Sequence, residues 1–256
     1  MPLGESDQGG TRVRVAAAGD LHCSAANRDG VLAAFASLEG VADLALLAGD
    51  LTGEGRLEEA EVLAEAAADA QVPVLAVLGN HDHHHGEAEA IVECLRRAGI
   101  IVLERAAERL RIGQVEVGVV GAKGFVGGFA PRHLPDFGEA SLRAVYAETT
   151  AEVEALDAGL REIAPCPLRI VLLHYAPVEE TLEGEPREIF VFLGSDRLAA
   201  PVLEHGPDLV VHGHAHAGAA DGRIGATPVH NVSIPVIGRD FRVFELEAGP
   251  ARSAIR

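Results

Sequence analysis

Apolar residues in this chain come in short continuous runs, and five of the runs stop at polar residues of one kind. Val13–Ala18 leads into Gly19-Asp20-Leu21-His22, Leu44–Ala48 into Gly49-Asp50, and Val74–Leu78 into Gly79-Asn80-His81-Asp82. Further on, Ile170–Leu173 leads into His174, and Leu209–Val211 into His212-Gly213-His214-Ala215-His216. The runs are continuous rather than alternating, which is the pattern of strands buried on both faces. Between the first three, apolar positions recur at helical spacing. Val31–Leu38 reads as a helix with Asn27 or Asp29 as its N-cap, and Arg56–Ala70 as a second helix. Glu87–Ala98 reads as a third, ended by Gly99. Strand–helix alternation predicts parallel strands joined by crossover helices.

The second half is less regular. Val115–Val120 reads as a strand and 123–138 as a Gly- and Phe-bearing loop, whose stretch Lys123–Phe129 is either a mobile lid or a surface loop with its Phe residues tucked inward. Glu139–Ile163 is a long helix stopped by Pro165 and Pro167. Residues 176–187 are acidic and Pro-bearing, hence a loop, and Glu179–Glu188 reads as solvated. Asp196–His205 reads as a helix. Arg223–Leu246 carries β-branched runs broken by Gly and Pro, as expected of strands near a sheet edge. The expectation is a disordered lead at 1–10 and one layered α/β domain over 11–256, its later strands forming a second sheet packed on the first.

Composition narrows the function. Hydrophobic residues make up 48% of the 256, ample for a large core. With 4% aromatics and no Trp, that core must be built from Ala, Val, Leu and Ile. A formal charge of −18 disfavours nucleic acid and anionic membrane surfaces as partners. No run approaches the ~20 apolar residues of a membrane span. The three cysteines are odd in number and lack C-x-x-C spacing, which argues against a disulfide framework or a thiolate zinc site. A cytoplasmic location is the resulting expectation.

Candidate chemistry gathers at the run ends. Nine of the 12 histidines lie in or beside the five clusters, which a scattered surface distribution would not produce. Sites in open α/β sheets form at the carboxyl ends of strands. Asp20 and His22 are two apart, as are His214 and His216, so each pair can face one side of an extended segment. A Gly precedes Asp20, Asp50, Asn80 and His214, allowing a positive φ or a close approach. Asp, Asn and His donors suit Mn, Fe, Zn or Co. They outnumber the ligands of one tetrahedral ion, so two ions sharing a carboxylate is the natural count.

These five motifs, in this order and after strands, resemble those of the calcineurin-like metallophosphoesterases. The resemblance spans residues 20–216, with 30 residues from Asp20 to Asp50 and 30 more to Asn80, each room for a helix and a strand. It implies a four-layer αββα sandwich: two mixed sheets flanked by helices, with a dinuclear site at the carboxyl ends of the strands. It implies that Asp20, His22, Asp50 and His216 hold one divalent or trivalent transition-metal ion (Mn, Fe or Zn), and that Asp50, Asn80, His174 and His214 hold the other. Asp50 would bridge. Water activated between the ions would attack a small phosphoester, with His81 as general acid. Asp82 and His212 fall outside this ligand set, and Cys23 reads as a small buried thiol. His83, His84 and His85 read as an exposed polar loop.

The departures from the family concern substrate. Protein phosphatases of this family follow the Asp50 position with an Asp and an Arg that grips a terminal phosphate. This chain has Leu51-Thr52-Gly53-Glu54, and its first basic residue there is Arg56. That favours a phosphodiesterase, with a phosphomonoesterase as the alternative should Arg132 supply the missing cation. The low basic content argues against a nuclease. A non-catalytic scaffold of the same fold would have lost ligands, whereas every ligand position here is filled.

Overall fold

Leu44–Ala48, Val74–Val77 and Leu168–Leu172 are buried at every residue, as continuous apolar runs require of central strands. A computed structural model of the chain describes residues 12–249, so the lead at 1–10 lies outside the described residues. The first half alternates β1 (Arg12–Ala18), α1 (Arg28–Ala36), β2 (Leu44–Ala48), α2 (Leu57–Ala68), β3 (Val74–Val77), α3 (Ala88–Arg97) and β4 (Ile101–Val102). Next come β5 (Ala106–Ile112), β6 (Val115–Gly121), a small hairpin of β7 (Gly128–Phe129) and β8 (Arg132–His133), α4 (Ala140–Glu162) and β9 (Leu168–Leu172). The chain continues through α5 (Phe190–Leu193), α6 (Ala199–His205), β10 (Leu209–His212), β11 (Asp221–Ile224), β12 (Thr227–Asn231), α7 (Ile234–Ile237) and β13 (Arg242–Glu247).

Two sheets result. The first has the order β13-β1-β2-β3-β4, parallel apart from β13. The second has the order β11-β12-β10-β9-β6-β5, with parallel central strands and antiparallel edges. Their inner faces interlock through Val15, Leu46 and Leu75 on one side and Val117, Ile170 and Val211 on the other. The outer face of the first sheet packs on α1–α3 through Leu47, Phe35, Leu63 and Leu95. The outer face of the second packs on α4 and α6 through Val171, Leu156, Leu160 and Val202. The fold is the expected four-layer αββα sandwich. Register places the chemistry: Ala18 lies opposite Leu47, Ala48 opposite Val77, and Leu172 opposite Val211. Within each sheet the strands therefore end at one edge.

Local structure corrects several expectations. Asn27 sits at the N-cap position of α1, but its side chain makes no cap hydrogen bond. Its Oδ1 accepts the Ser24 N–H at 2.9 Å and its Nδ2 donates to the Leu21 and His22 carbonyls at 3.2 Å, pinning the loop that carries His22. The 123–138 loop contains the β7–β8 hairpin and buries Phe129 against Leu182, Leu193 and Ala215. The acidic run is not wholly solvated, because Thr181 and Leu182 are fully buried. Strand β5 and helix α5 were not predicted. Among the described residues no helix is long and apolar enough to cross a membrane.

Leu156 is fully buried between α4 and the second sheet. Leu156→Ala is expected to cost about 2–5 kcal/mol in urea unfolding, the range for a leucine-sized core cavity. A loss below about 1 kcal/mol would contradict this packing.

Candidate metal centre

The strand-end turns adopt backbone conformations that side chains ordinarily avoid. Among the described residues five non-glycines have positive φ, and four are Asp20 (60°), His22 (45°), Asp50 (48°) and His214 (70°). Each such residue costs on the order of 1–3 kcal/mol, so the surrounding structure must over-determine it. Backbone bonds do so here. Asp20 N–H donates to Gly49 O at 2.9 Å, and His22 N–H to Asp50 O at 3.0 Å. The His214 N–H donates to the Asp20 carboxylate at 2.9 Å. Asp20 and His22 therefore converge through left-handed turns rather than along an extended segment.

The preceding glycines act mostly by close approach. Gly49 alone of the four has a positive φ, 81°. A Cβ on Gly79 would lie 2.1 Å from Asp50 Oδ1, and one on Gly213 2.5 Å from Asp20 Oδ2. Only hydrogen fits there.

Two donor groups result. Ligand atoms of Asp20, His22, Asp50 and His216 all lie within 4.8 Å of one another, and so do those of Asp50, His174 and His214. Asn80 joins the second group, its Oδ1 lying 2.8 Å from His174 Nε2. Asp50 belongs to both. The His81 backbone N–H donates to Asp50 Oδ1 at 2.8 Å, and its ring Nε2 lies 3.9 Å from Asp50 Oδ2.

The calcineurin-like phosphoesterase family profile matches residues 13–218. The chain belongs to the calcineurin-like phosphoesterase family. Metal-dependent phosphoester hydrolysis is the chemistry this membership implies, and family and donor cluster together suggest a dinuclear centre. Among solved structures the chain is similar to a phosphopantetheinyl hydrolase from Mycobacterium tuberculosis, at 15% identity and TM-score 0.68 over 95% of this chain and 99% of that one. It is also similar to the protein TT1561 of Thermus thermophilus, at 19% identity and TM-score 0.55 over 86% of this chain and 88% of that one. These likenesses show a shared fold. No curated protein matches at the level of sequence.

The donor set of this phosphoesterase fits cations. The Ala48 carbonyl, 2.9 Å from His174 Nδ1, can only accept, so Nδ1 carries the ring proton. That leaves the Nε2 lone pair facing the oxygens of Asn80 at 2.8 Å and Asp50 at 3.4 Å. Burial pushes the His174 pKa down, which opposes a second proton there. Acceptors crowded on acceptors call for a positive ion between them. His214 is arranged likewise: Nε2 donates to the Phe192 carbonyl at 3.2 Å and Nδ1 keeps its lone pair.

Electrostatics sort the two carboxylates. Burial would raise the Asp20 pKa, but the His216 hydrogen bond at 2.9 Å, nearby imidazoles and the His214 N–H hold it at about 2. Burial and the neighbouring Asp20 push Asp50 up instead. A bound cation offsets such a penalty.

The remaining candidates have defined places. Asp82 is fully buried and accepts from Gly79 N at 2.7 Å, Thr52 N at 2.8 Å and Thr52 Oγ1 at 2.6 Å, tying the Asp50 turn to the Asn80 turn. His212 is fully buried, with Nδ1 beside the Gly213 carbonyl at 2.8 Å and Nε2 beside Thr181 Oγ1 at 2.9 Å. Cys23 is a buried thiol pushed up to about 12 by burial. His84 packs its ring 4.3 Å from that of His81, and His85 Nδ1 bonds the Glu54 carbonyl at 3.0 Å. His83 stays exposed. Arg132 is exposed on β8 and lines a cavity of about 410 Å³ that includes none of the candidate ligands. Sequence reasoning missed Tyr175, whose ring lies 4.5 Å from that of His214 and 5.3 Å from that of His174. Its position directly after a strand-end His was the available signal.

Two outcomes are expected of this geometry. Gly79→Ala is expected to drop bound metal below one ion per chain by elemental analysis, whereas Gly30→Ala, whose Cβ meets open space, retains the wild-type content. Equal metal content in both would contradict the close approach. His212 and His214 stay neutral down to about 4, against 6.5 for an ordinary imidazole, because of burial. Between these values the unfolded chain binds protons that the folded chain refuses. Stability of chelator-treated protein therefore falls as pH drops from about 6.5 to about 4. A melting temperature flat across that window would contradict the assignment.

Proposed function

We propose that this phosphoesterase hydrolyses small phosphodiesters, with Asp20, His22, Asp50 and His216 holding one transition-metal ion (Mn, Fe or Zn) and Asp50, Asn80, His174 and His214 a second. The observation that carries the reading is Asp50's membership of both donor groups. Ions bound there supply Lewis-acid activation of water and neutralisation of phosphoryl charge.

The chain's own residues do the rest. Asp50 is oriented by the His81 N–H, and Asp82 holds the two turns that carry them. His81 acts as the acid. Its Nδ1 donates to the Gly53 carbonyl at 2.6 Å, which fixes the ring and leaves Nε2 facing the site. A proton held at Nε2 is placed to reach a leaving oxygen.

Diester preference rests on the missing cation. After Asp50, Leu51 and Thr52 are buried, and Asp82 takes both their N–H groups. Arg56 is half-buried and paired with Glu54 at 3.0 Å. No arginine of that loop faces the ligands, so a dianionic monoester gains little there. Three free cysteines among the described residues support a reducing, cytoplasmic setting.

Manganese-loaded protein is expected to hydrolyse bis(p-nitrophenyl) phosphate faster than p-nitrophenyl phosphate. Activity confined to the monoester would overturn the diester reading. His81→Ala is expected to lose about 10²–10⁴-fold on diesters with alkyl leaving groups and less on p-nitrophenyl diesters. Equal loss on both would remove His81 as the acid.

A further inference from the structure

An apolar cavity of about 220 Å³ opens beside the turn that carries Asp20 and His22. Its walls are Leu21 of that turn, Val31, Ala34 and Phe35 of α1, and Ile234 and Phe241 from the segment leading into β13. Phe35 and Phe241 meet edge to face, with ring centroids 5.5 Å apart. Asn27, Gly30 and Asp240 also line the cavity and are exposed, so it is open to solvent. Mostly apolar and aromatic walls with a few polar groups are the usual make-up of a small-molecule site. Apolar cavities of about 150 Å³ admit benzene, so this one has room for a single ring and its attachment.

Position and charge tie the cavity to the metal centre. Asp20 lines it and belongs to the first donor group as well. Asn27 Nδ2 donates to the Leu21 and His22 carbonyls at 3.2 Å, joining the cavity wall to the ligand turn. Strand order sets its side. In the first sheet β2, which leads to Asp50, lies between β3, which leads to His81, and β1, which leads to Asp20. The cavity and His81 therefore stand on opposite sides of the shared carboxylate. The lining holds two carboxylates, Asp20 and Asp240, and no basic group among the described residues. An anionic group would meet like charge and apolar walls there, with no cation to pair it.

We propose that this cavity binds the retained substituent of the diester, and that the substituent is a neutral apolar group the size of one ring. The inference rests on the phosphodiesterase reading above: the leaving oxygen faces His81 on one side of Asp50, and the group left on phosphorus faces the cavity on the other. Gly30 keeps the entrance clear. A Cβ there meets nothing within 4 Å, and Gly30 stands one helical turn from Ala34 on the face of α1 that lines the cavity. Taking a ring out of water against these walls favours it over a methyl group.

Two measurements test it. Benzylphosphonate and ethylphosphonate are stable counterparts of the products phenyl phosphate and methyl phosphate. By calorimetry on manganese-loaded protein, benzylphosphonate is expected to bind about tenfold more tightly than ethylphosphonate, and Gly30→Leu, which projects a side chain into the cavity, to bring the two within about twofold. Equal affinities in the wild-type chain, or an unchanged ratio in Gly30→Leu, would overturn the proposal. This readout needs no turnover.

The second compares phenyl p-nitrophenyl phosphate with methyl p-nitrophenyl phosphate, which share a leaving group. Gly30→Leu is expected to lower the ratio of their kcat/KM values about tenfold relative to wild type, a comparison in which the intrinsic reactivity of the two diesters cancels. Phe241→Ala, which removes one wall, is expected to lower the same ratio, with recovery in Phe241→Leu. Thermal unfolding and elemental analysis check that each variant folds and keeps its ions. An unchanged ratio in folded, metal-loaded variants would overturn the proposal. Absence of wild-type turnover on both diesters would overturn the diesterase reading instead, leaving the phosphonate affinities to decide on the cavity.

Discussion

The structure turns on one carboxylate, Asp50, held where two donor groups meet. Its residue sits in a left-handed turn at 48°, its side chain accepts the His81 N–H, and glycine at 79 leaves it room. None of this is favourable alone. A left-handed aspartate is strained, a buried carboxylate resists ionisation, and Asp20 adds a like charge nearby. Positive ions bound between the donor groups would answer the last two costs together. The first is borne by the packed sheets on either side.

That dependence explains the division of labour in the fold. Two facing sheets of continuous Ala, Val, Leu and Ile form a rigid platform, and parallel register ends their central strands level. The strained turns then sit on rigid elements, where a misplacement of a fraction of an ångström is resisted. Around them lies a layer of supporting groups: Asp82 joins two turns, His212 holds a third to Thr181, and the carbonyls of Ala48 and Phe192 fix imidazole tautomers.

Much of this was legible in residue order. Continuous apolar runs revealed β1, β2, β3, β9 and β10, and the polar residues at the end of each run supplied the candidate donors that the fold gathers into two groups. What escaped did so for physical reasons. Strand β5 is a partly exposed edge strand whose exposed Arg109 and Arg111 alternate with half-buried positions, so it lacks an apolar run. Helix α5 spans four residues, too few for a periodic pattern. Asn27 looked like a helix cap because its side chain suits one, yet its bonds go to the His22 loop. Glycines before the candidate ligands allowed a positive φ or a close approach; close approach holds at Gly79 and Gly213, and the positive φ falls mostly on the candidate ligands themselves. Tyr175 was missed because it lies outside the ligand motifs although it directly follows His174; the fold brings it beside His214.

Electron paramagnetic resonance of the chain loaded with two equivalents of Mn²⁺ tests the shared carboxylate most directly. Two ions joined through Asp50 are predicted to give an exchange-coupled multiline spectrum, which Asp50→Asn converts to the six-line signal of isolated ions. Isolated six-line spectra from the wild-type chain at full occupancy would contradict the account.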